Sequence, residues 1–441
     1  FGFASDWAVN PTFRTYVHAD QHAIVFHPQY DGVNNKTLYA AGDGGLYITT
    51  DALAPVATGE RAYCSTVNYG INWNNLNTGY ATIQFLSGSV YPGGHAYIGG
   101  SQDNGTMRGR DSAGFLSWTT VSGGDGGYSA IDPTNPNTLY TTIQYVNPIR
   151  RFDDGGFTAR IVMNGILDRG STTRFNFYAP FIMDPNNANR LYLGGRILWR
   201  TDDKGERWTP SAREFDSNAS AIAVAPGNSF RVLAGSSGGF IYRNDDAIST
   251  TLENTWPSVR PRLGVVADLA FDPQNQDVVY AVYSTFNSTG NTGHVFRSTN
   301  GGADWQVIDG AGPNSIPDIP VHSVIVHPQN SQILYVGTDL GVFVSTDGGA
   351  NWLREELGIP NTRIEQLKLA DNNGPVLYAF TFGRGVFRVR LTDAPPCSFR
   401  AAPVSDDEAH PIGGPLPIRL ETADQCRWSA VPTSSWARAP V

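Results

Sequence analysis

One phrase recurs six times along the chain and leaves few folds open to it. An apolar run ends in x-Pro, a short Asn-rich turn follows, and a second apolar-aromatic run begins. The copies are VFHPQ…TLYAAG, AIDPTNPNTLYTT, FIMDPNNANRLYLGG, IAVAPGNSFRVLAGS, LAFDPQNQDVVYAVY and VIVHPQNSQILYVGT, with prolines at Pro28, Pro133, Pro185, Pro226, Pro273 and Pro328. A copy without the proline, ATIQFLSGSVYPGGHAYIGG, fits between Pro28 and Pro133. From Pro133 onward the period is roughly 40–55 residues, the length of one four-stranded blade.

A second phrase follows the first. TDDKGERW (201–208), STNGGADW (298–305) and STDGGANW (345–352) share Ser/Thr-x-Asp/Asn-x-Gly-x-x-Trp. This resembles the Asp-box, or BNR repeat, of sialidases, sortilin-type receptors and xyloglucanase-type glycoside hydrolases. The expected role is structural. Asp203, Asn300 and Asp347 cap backbone N–H groups of a tight turn, glycine takes the positive φ, and Trp208, Trp305 and Trp352 pack between blades. Each unit then reads as strands A to D. The expected fold is all-β, a single β-propeller of seven to eight four-stranded blades over residues 1–391. The eighth unit, TRIEQLKL…VLYAFTFGRGVFRVRL, has no strand D. Eight blades are favoured, closed by the N-terminal segment around Asp6 and Trp7; seven blades with a leftover segment is the alternative.

Composition agrees with short strands and tight turns. Of 441 residues 16% are charged, 12% are aromatic, and there are 48 Gly and 28 Pro. The net charge of -9, with no Lys/Arg-rich run, argues against a nucleic-acid partner. No apolar stretch is long enough to span a bilayer. The first residue is Phe1, so the sequence reads as a trimmed piece of a larger secreted chain or assembly. Residues 392–441 change character. Their Cys397, Gly-Gly, alternating strand, Cys426-x-Trp428 and Trp436 resemble the first half of a BACON-type domain, a small Ig-like β-sandwich attached to secreted bacterial carbohydrate-active proteins. A disulfide between Cys397 and Cys426 would suit an exported protein, and Cys64 stands alone. Secreted or cell-surface placement in a bacterium follows from these resemblances.

Chemistry concentrates in a few departures from the repeat. YVHADQHAIVFHP carries His18, Asp20 and His22 at alternate positions before a strand A. Asp43 (AAGDGG) and Gln102, Asp103 and Asn104 (SQDNG) end strands B. Asp125 (SGGDGG) precedes a strand A. In a blade, the D-to-A and B-to-C connections share one face, so these residues converge there. Asp339 and Arg384 occupy the same positions in later units. The set H-x-D-x-H…DGG…QDNG…GGDGG resembles secreted bacterial BNR proteins described loosely as glycosyl hydrolase-like.

Three readings stand. The polar residues line the mouth of a water-filled channel. Or they bind a ligand: His18, Asp20, His22, Gln102, Asp103, Asn104 and Asp125 facing a glycan or an extracellular protein. Within that reading His18, Asp20 and His22, on one side of a strand, would hold a transition metal, with Asp43, Asp103 or Asp125 completing it, and the carboxylates with Gln102 and Asn104 would suit calcium or sugar hydroxyls equally well. Or the protein hydrolyses glycosides with paired carboxylates. LYAAGDGGLY resembles the phrase around the catalytic base of xyloglucanase-type enzymes, with Gly42 in place of Thr; Asp43 would be the base and Asp103 or Asp125 the acid. Those enzymes carry the acid in a second propeller, which the sequence does not show. The leading expectation is extracellular binding or scaffolding through the face of the first three units, with hydrolysis as the alternative.

Overall fold

A computed structural model describes residues 5, 12–54, 70–114, 116–355 and 358–391, and the backbone of two strands, Arg400–Pro403 and Ile418–Glu421. Asp6, Trp7, Cys64, Cys397, Cys426, Trp428 and Trp436, and with them the disulfide and most of the sandwich expectation, lie outside the described residues.

The described chain is all-β, built from antiparallel sheets in sequence order. Seven sheets have four strands. The eighth, Ile364–Asp371, Pro375–Thr381 and Val386–Arg390, has three. The x-Pro phrase makes the turn from strand A to strand B. In three copies the residue before proline is a buried aspartate, and its Oδ1 accepts the amide two residues on: Thr134 N to Asp132 at 2.9 Å, Asn186 N to Asp184 at 2.9 Å, Gln274 N to Asp272 at 2.8 Å. His27 and His327 do the same with Nδ1, accepting from Gln29 and Gln329. His27 in the opening stretch is therefore a turn acceptor.

The strand C-to-D turns carry the Ser/Thr-x-Asp/Asn phrase. Asp347 Oδ1 accepts from Ser345 Oγ (2.9 Å) and Asn351 N (2.9 Å), and Asp203 Oδ1 accepts from Thr201 Oγ1 (2.7 Å) and Arg207 N (3.0 Å). Asn300 Oδ1 accepts from Ser298 Oγ and Asp304 N, each at 2.9 Å. Trp352 is buried against the preceding sheet and donates to Ile308 O at 2.7 Å; Trp208 donates to Val162 O at 2.9 Å. Trp305 is half-buried and donates to Gly302 O.

Strands A of the second to eighth sheets form a closed ring. Each packs on the next, and Ile364–Asp371 of the eighth sheet packs on Phe85–Val90 of the second. Phe85 meets Phe380 edge-on at 5.8 Å, Gly383 N donates to Ile83 O at 3.0 Å, and Arg388 pairs with Asp111 at 2.9 Å. The inner strands are buried on both faces, which is why they read as near-continuous apolar runs; Val279–Tyr283 is buried throughout. Small residues let the blades meet. A Cβ on Gly100 would lie 2.0 Å from Gly127 O of the third sheet.

The ring thus counts seven sheets, not the favoured eight. The first sheet (Gln21–Phe26, Leu38–Gly42, Gly45–Thr49 and Asn74–Asn75) lies outside it, because the ring closes between the eighth sheet and the second. Its strand A is exposed along its whole length, with Ile24 64%, Val25 56% and Phe26 56% exposed. The corresponding ring residues are core.

This contrast is measurable by denaturant unfolding. Phe181→Ala, in the core between the third and fourth sheets, should cost about 3–5 kcal/mol. Ile24→Ser should change stability by less than about 1 kcal/mol.

Candidate active site

The first sheet touches the ring through its B-to-C turn. Asp43 lies at the tip of that turn, and Asp103 at the tip of the matching turn of the second sheet. His18 Nε2 bonds Asp103 O at 2.9 Å, and Asn104 Nδ2 donates to Asp43 O at 3.1 Å. Asp103 sits at φ +62° and Asp20 at φ +59°, left-handed conformations that Asp tolerates better than most residues. One carboxylate oxygen from each of Asp20, Asp43 and Asp103 lies within 4.8 Å of the other two. Asp125, from the loop before the third sheet, accepts Asp103 N at 2.9 Å.

These neighbours decide protonation. Burial first, then the charges of Asp125 and Asp43, push Asp103 up to about 6. His22 Nε2 pairs with Asp43 Oδ1 at 2.6 Å on the exposed side. The Tyr178 hydroxyl is buried with no hydrogen-bond partner among the described residues, and its pKa is raised by burial and by Asp125 and Asp103. The carboxylates open on a cleft of about 780 Å³ between the first sheet, the second and the eighth. Its walls include Gln102, Asn104, Tyr80, Tyr97, Trp118 and Arg384.

The set His18, Asp20 and His22 is not brought together as a metal site. The strand begins only at Gln21, Asp20 precedes it in a left-handed turn, and the register slips between Gln21 and Ala23. The alternation assumed from sequence is lost. Both ring nitrogens of His18 lie 2.9 Å from carbonyl oxygens, Ala19 O and Asp103 O, so both are turned to the protein's own backbone. His22 is turned to Asp43. The oxygen donors of Asp20, Asp43 and Asp103 are a set for a hard cation such as calcium, not for a transition metal.

Two features escaped the sequence reading. Trp118 meets Tyr97 edge-on at 5.3 Å and lines the cleft. On the same face, His322 pairs with Asp339 at 2.8 Å and Arg363 with Glu365 at 2.7 Å. Burial lowers His322 to about 4 and raises Glu365 to about 7. Asp339 was visible in the sequence at the end of a strand B; its partners His322, Arg363 and Glu365 signalled only as titratable residues near the start of two strands A.

The fold and this face define a β-propeller with an acidic cleft beside its ring. The chain is similar to a xyloglucanase of Hypocrea jecorina (strain QM6a), 26% identical over 352 residues, 75% of this chain and 38% of the xyloglucanase. It therefore spans about two fifths of that relative's length. The crystal structure of a GH74 xyloglucanase from Xanthomonas campestris superposes with a TM-score of 0.52 at 18% identity, covering 71% of this chain and 52% of that one. YCF48 bound to D1 peptide superposes with a TM-score of 0.50 at 14% identity, covering 72% and 96%. At these identities the two structures speak for the propeller fold. No family model matches the chain.

Asp103→Asn gives a pH test. Unfolded, Asp103 ionises near pH 4. Folded, it ionises near 6, so its charge costs stability that is absent below about pH 4, grows between 4 and 6, and is complete above 6. The melting temperature of Asp103→Asn should therefore exceed that of the unmutated protein above pH 6, and the gap should close by pH 4.

Proposed function

We propose that this chain forms the catalytic cleft of an extracellular glycoside hydrolase acting on a polysaccharide. One observation carries the reading: Asp43 and Asp103 face each other across the junction of two sheets, and burial with the charges of Asp125 and Asp43 pushes Asp103 up to about 6. Glycoside hydrolysis needs this division between a carboxylic acid and a carboxylate. Asp103 protonates the glycosidic oxygen, and Asp43, paired with His22, is the base. Asp125 fixes the Asp103 backbone and keeps the acid's pKa up. Similarity to a xyloglucanase supports a glycan as substrate. No helix among the described residues is long and apolar enough to cross a membrane, and cleavage of a polysaccharide is work for a secreted or cell-surface protein.

The nearest carboxylate oxygens of Asp43 and Asp103 lie within 4.8 Å of each other, closer than the roughly 6.5–9.5 Å between carboxyl groups that leaves room for an activated water, so this chemistry requires the first sheet and the ring to part around the glycan. The Ser/Thr-x-Asp/Asn turns and the BNR-type repeat are scaffold, and the BACON-like tail is an accessory to the same glycan-directed role.

Reducing-end release from soluble polysaccharides tests this. Asp103→Asn and Asp43→Asn should each lower turnover by about 10²–10⁴-fold. Asp347→Ala should cost about 1–3 kcal/mol of stability while cleavage continues. A protein that retains polysaccharides without releasing reducing ends would be a binding or scaffolding module instead.

A further inference from the structure

The cleft holds one feature that a neutral glycan leaves unused. Among the described residues lining it Arg384 is the only Lys or Arg, in company otherwise acidic or uncharged. It is exposed, at the tip of the eighth sheet's B-to-C turn. Asp43 and Asp103 hold the equivalent tips of the first and second sheets, so the sign of charge is reversed at one of the three tips around the cleft.

The turn holds Arg384 in place. Gly383 and Gly385 flank it at φ +104° and +76°, where a side chain would be strained. Arg384 N donates to Thr381 Oγ1 at 3.0 Å, and Thr381 N to Gly385 O at 3.0 Å. The guanidinium gives one bond, from Nη1 to Gly383 O at 2.9 Å, and among the described residues no carboxylate pairs with it. The contrast with Arg363 and Arg388 is sharp. Arg363 is paired to Glu365, and Arg388 to Asp111. A planar fork at the wall of a cleft, with one of its donors bonded among the described residues, matches a carboxylate or sulfate bidentately.

From this geometry we infer that the glycan is anionic, and that Arg384 selects it by binding a carboxylate or sulfate substituent on the sugar. The inference rests on the reading of the cleft as a glycan site. It adds the substrate class: polysaccharides bearing uronate or sulfate groups. Asp43 and Asp103 work on the neutral glycosidic oxygen, and Arg384, on the eighth sheet's side of the cleft, offsets the repulsion that an acidic chain meets from them.

The test is binding by affinity electrophoresis through polygalacturonate, a sulfated galactan and neutral xyloglucan, with Arg384→Gln and Arg384→Lys beside the unmutated protein. One of the two anionic polymers should retard the unmutated protein about tenfold more strongly than xyloglucan. Which one does so separates uronate from sulfate. Arg384→Gln should bring that ratio near one, Arg384→Lys should keep part of it, and salt should erase it. Equal or stronger retention by xyloglucan, no retention by any polymer, or a ratio unmoved in Arg384→Gln would overturn the inference. Reducing-end release, measured in parallel, keeps the two questions apart. Arg384-dependent retention without cleavage refutes the hydrolase and leaves the inference standing. Cleavage of xyloglucan with no dependence on Arg384 does the reverse.

Discussion

Packing of inner strand on inner strand is the interaction on which this molecule depends. Each ring sheet is a small antiparallel ladder with apolar residues on both faces, and neither face is stable in water. Burying both requires a neighbour on each side, and only a closed ring gives every sheet two. Closure falls where the eighth sheet meets the second: Phe85 against Phe380, and Tyr378 bonded to the backbone of Gly94. Turns at the ring's faces are thereby fixed to a rigid frame, and polar residues at those turns are free of any packing duty.

That frame explains the chemistry of the site. Asp103 belongs to the ring and is held by its neighbours on both sides, through the bond from its own amide to Asp125 and that from His18 to its carbonyl. Asp43 belongs to the sheet outside the ring. Carboxylates brought this close repel, and the more buried of them, Asp103, keeps its proton. A second charged group, around His322, Asp339, Arg363 and Glu365, lies between the seventh and eighth sheets on the same face. There burial and ion pairing work against each other, so His322 is kept neutral and Glu365 is protonated toward neutral pH.

Much of this was legible in the sequence, for physical reasons. The x-Pro phrase is visible because five of its six turns place a side-chain acceptor before the proline, Ala225 being the exception, and all have an apolar strand on either side. The strand C-to-D turn is visible because its acceptor, glycine and tryptophan are fixed in spacing by one local hydrogen-bond pattern. The convergence of Asp20, Asp43, Asp103 and Asp125 was legible because blade topology sends D-to-A and B-to-C connections to one face. What failed was non-local. The first unit carries the same strand pattern as the others, and nothing in its sequence says that the ring closes without it. The metal set at His18, Asp20 and His22 failed because alternation was counted through a left-handed residue and a register slip.

The position of the first sheet has a consequence for how such a site can change. Its two carboxylates stand on separate bodies, joined by residues 76–84 and by the bonds of His18 and Asn104. Their spacing is therefore set at a joint, not by either fold. Substitutions in the joint can retune the gap between the two carboxylates while every ring sheet keeps its packing. The geometry of the cleft and structural stability are thus open to variation independently of each other.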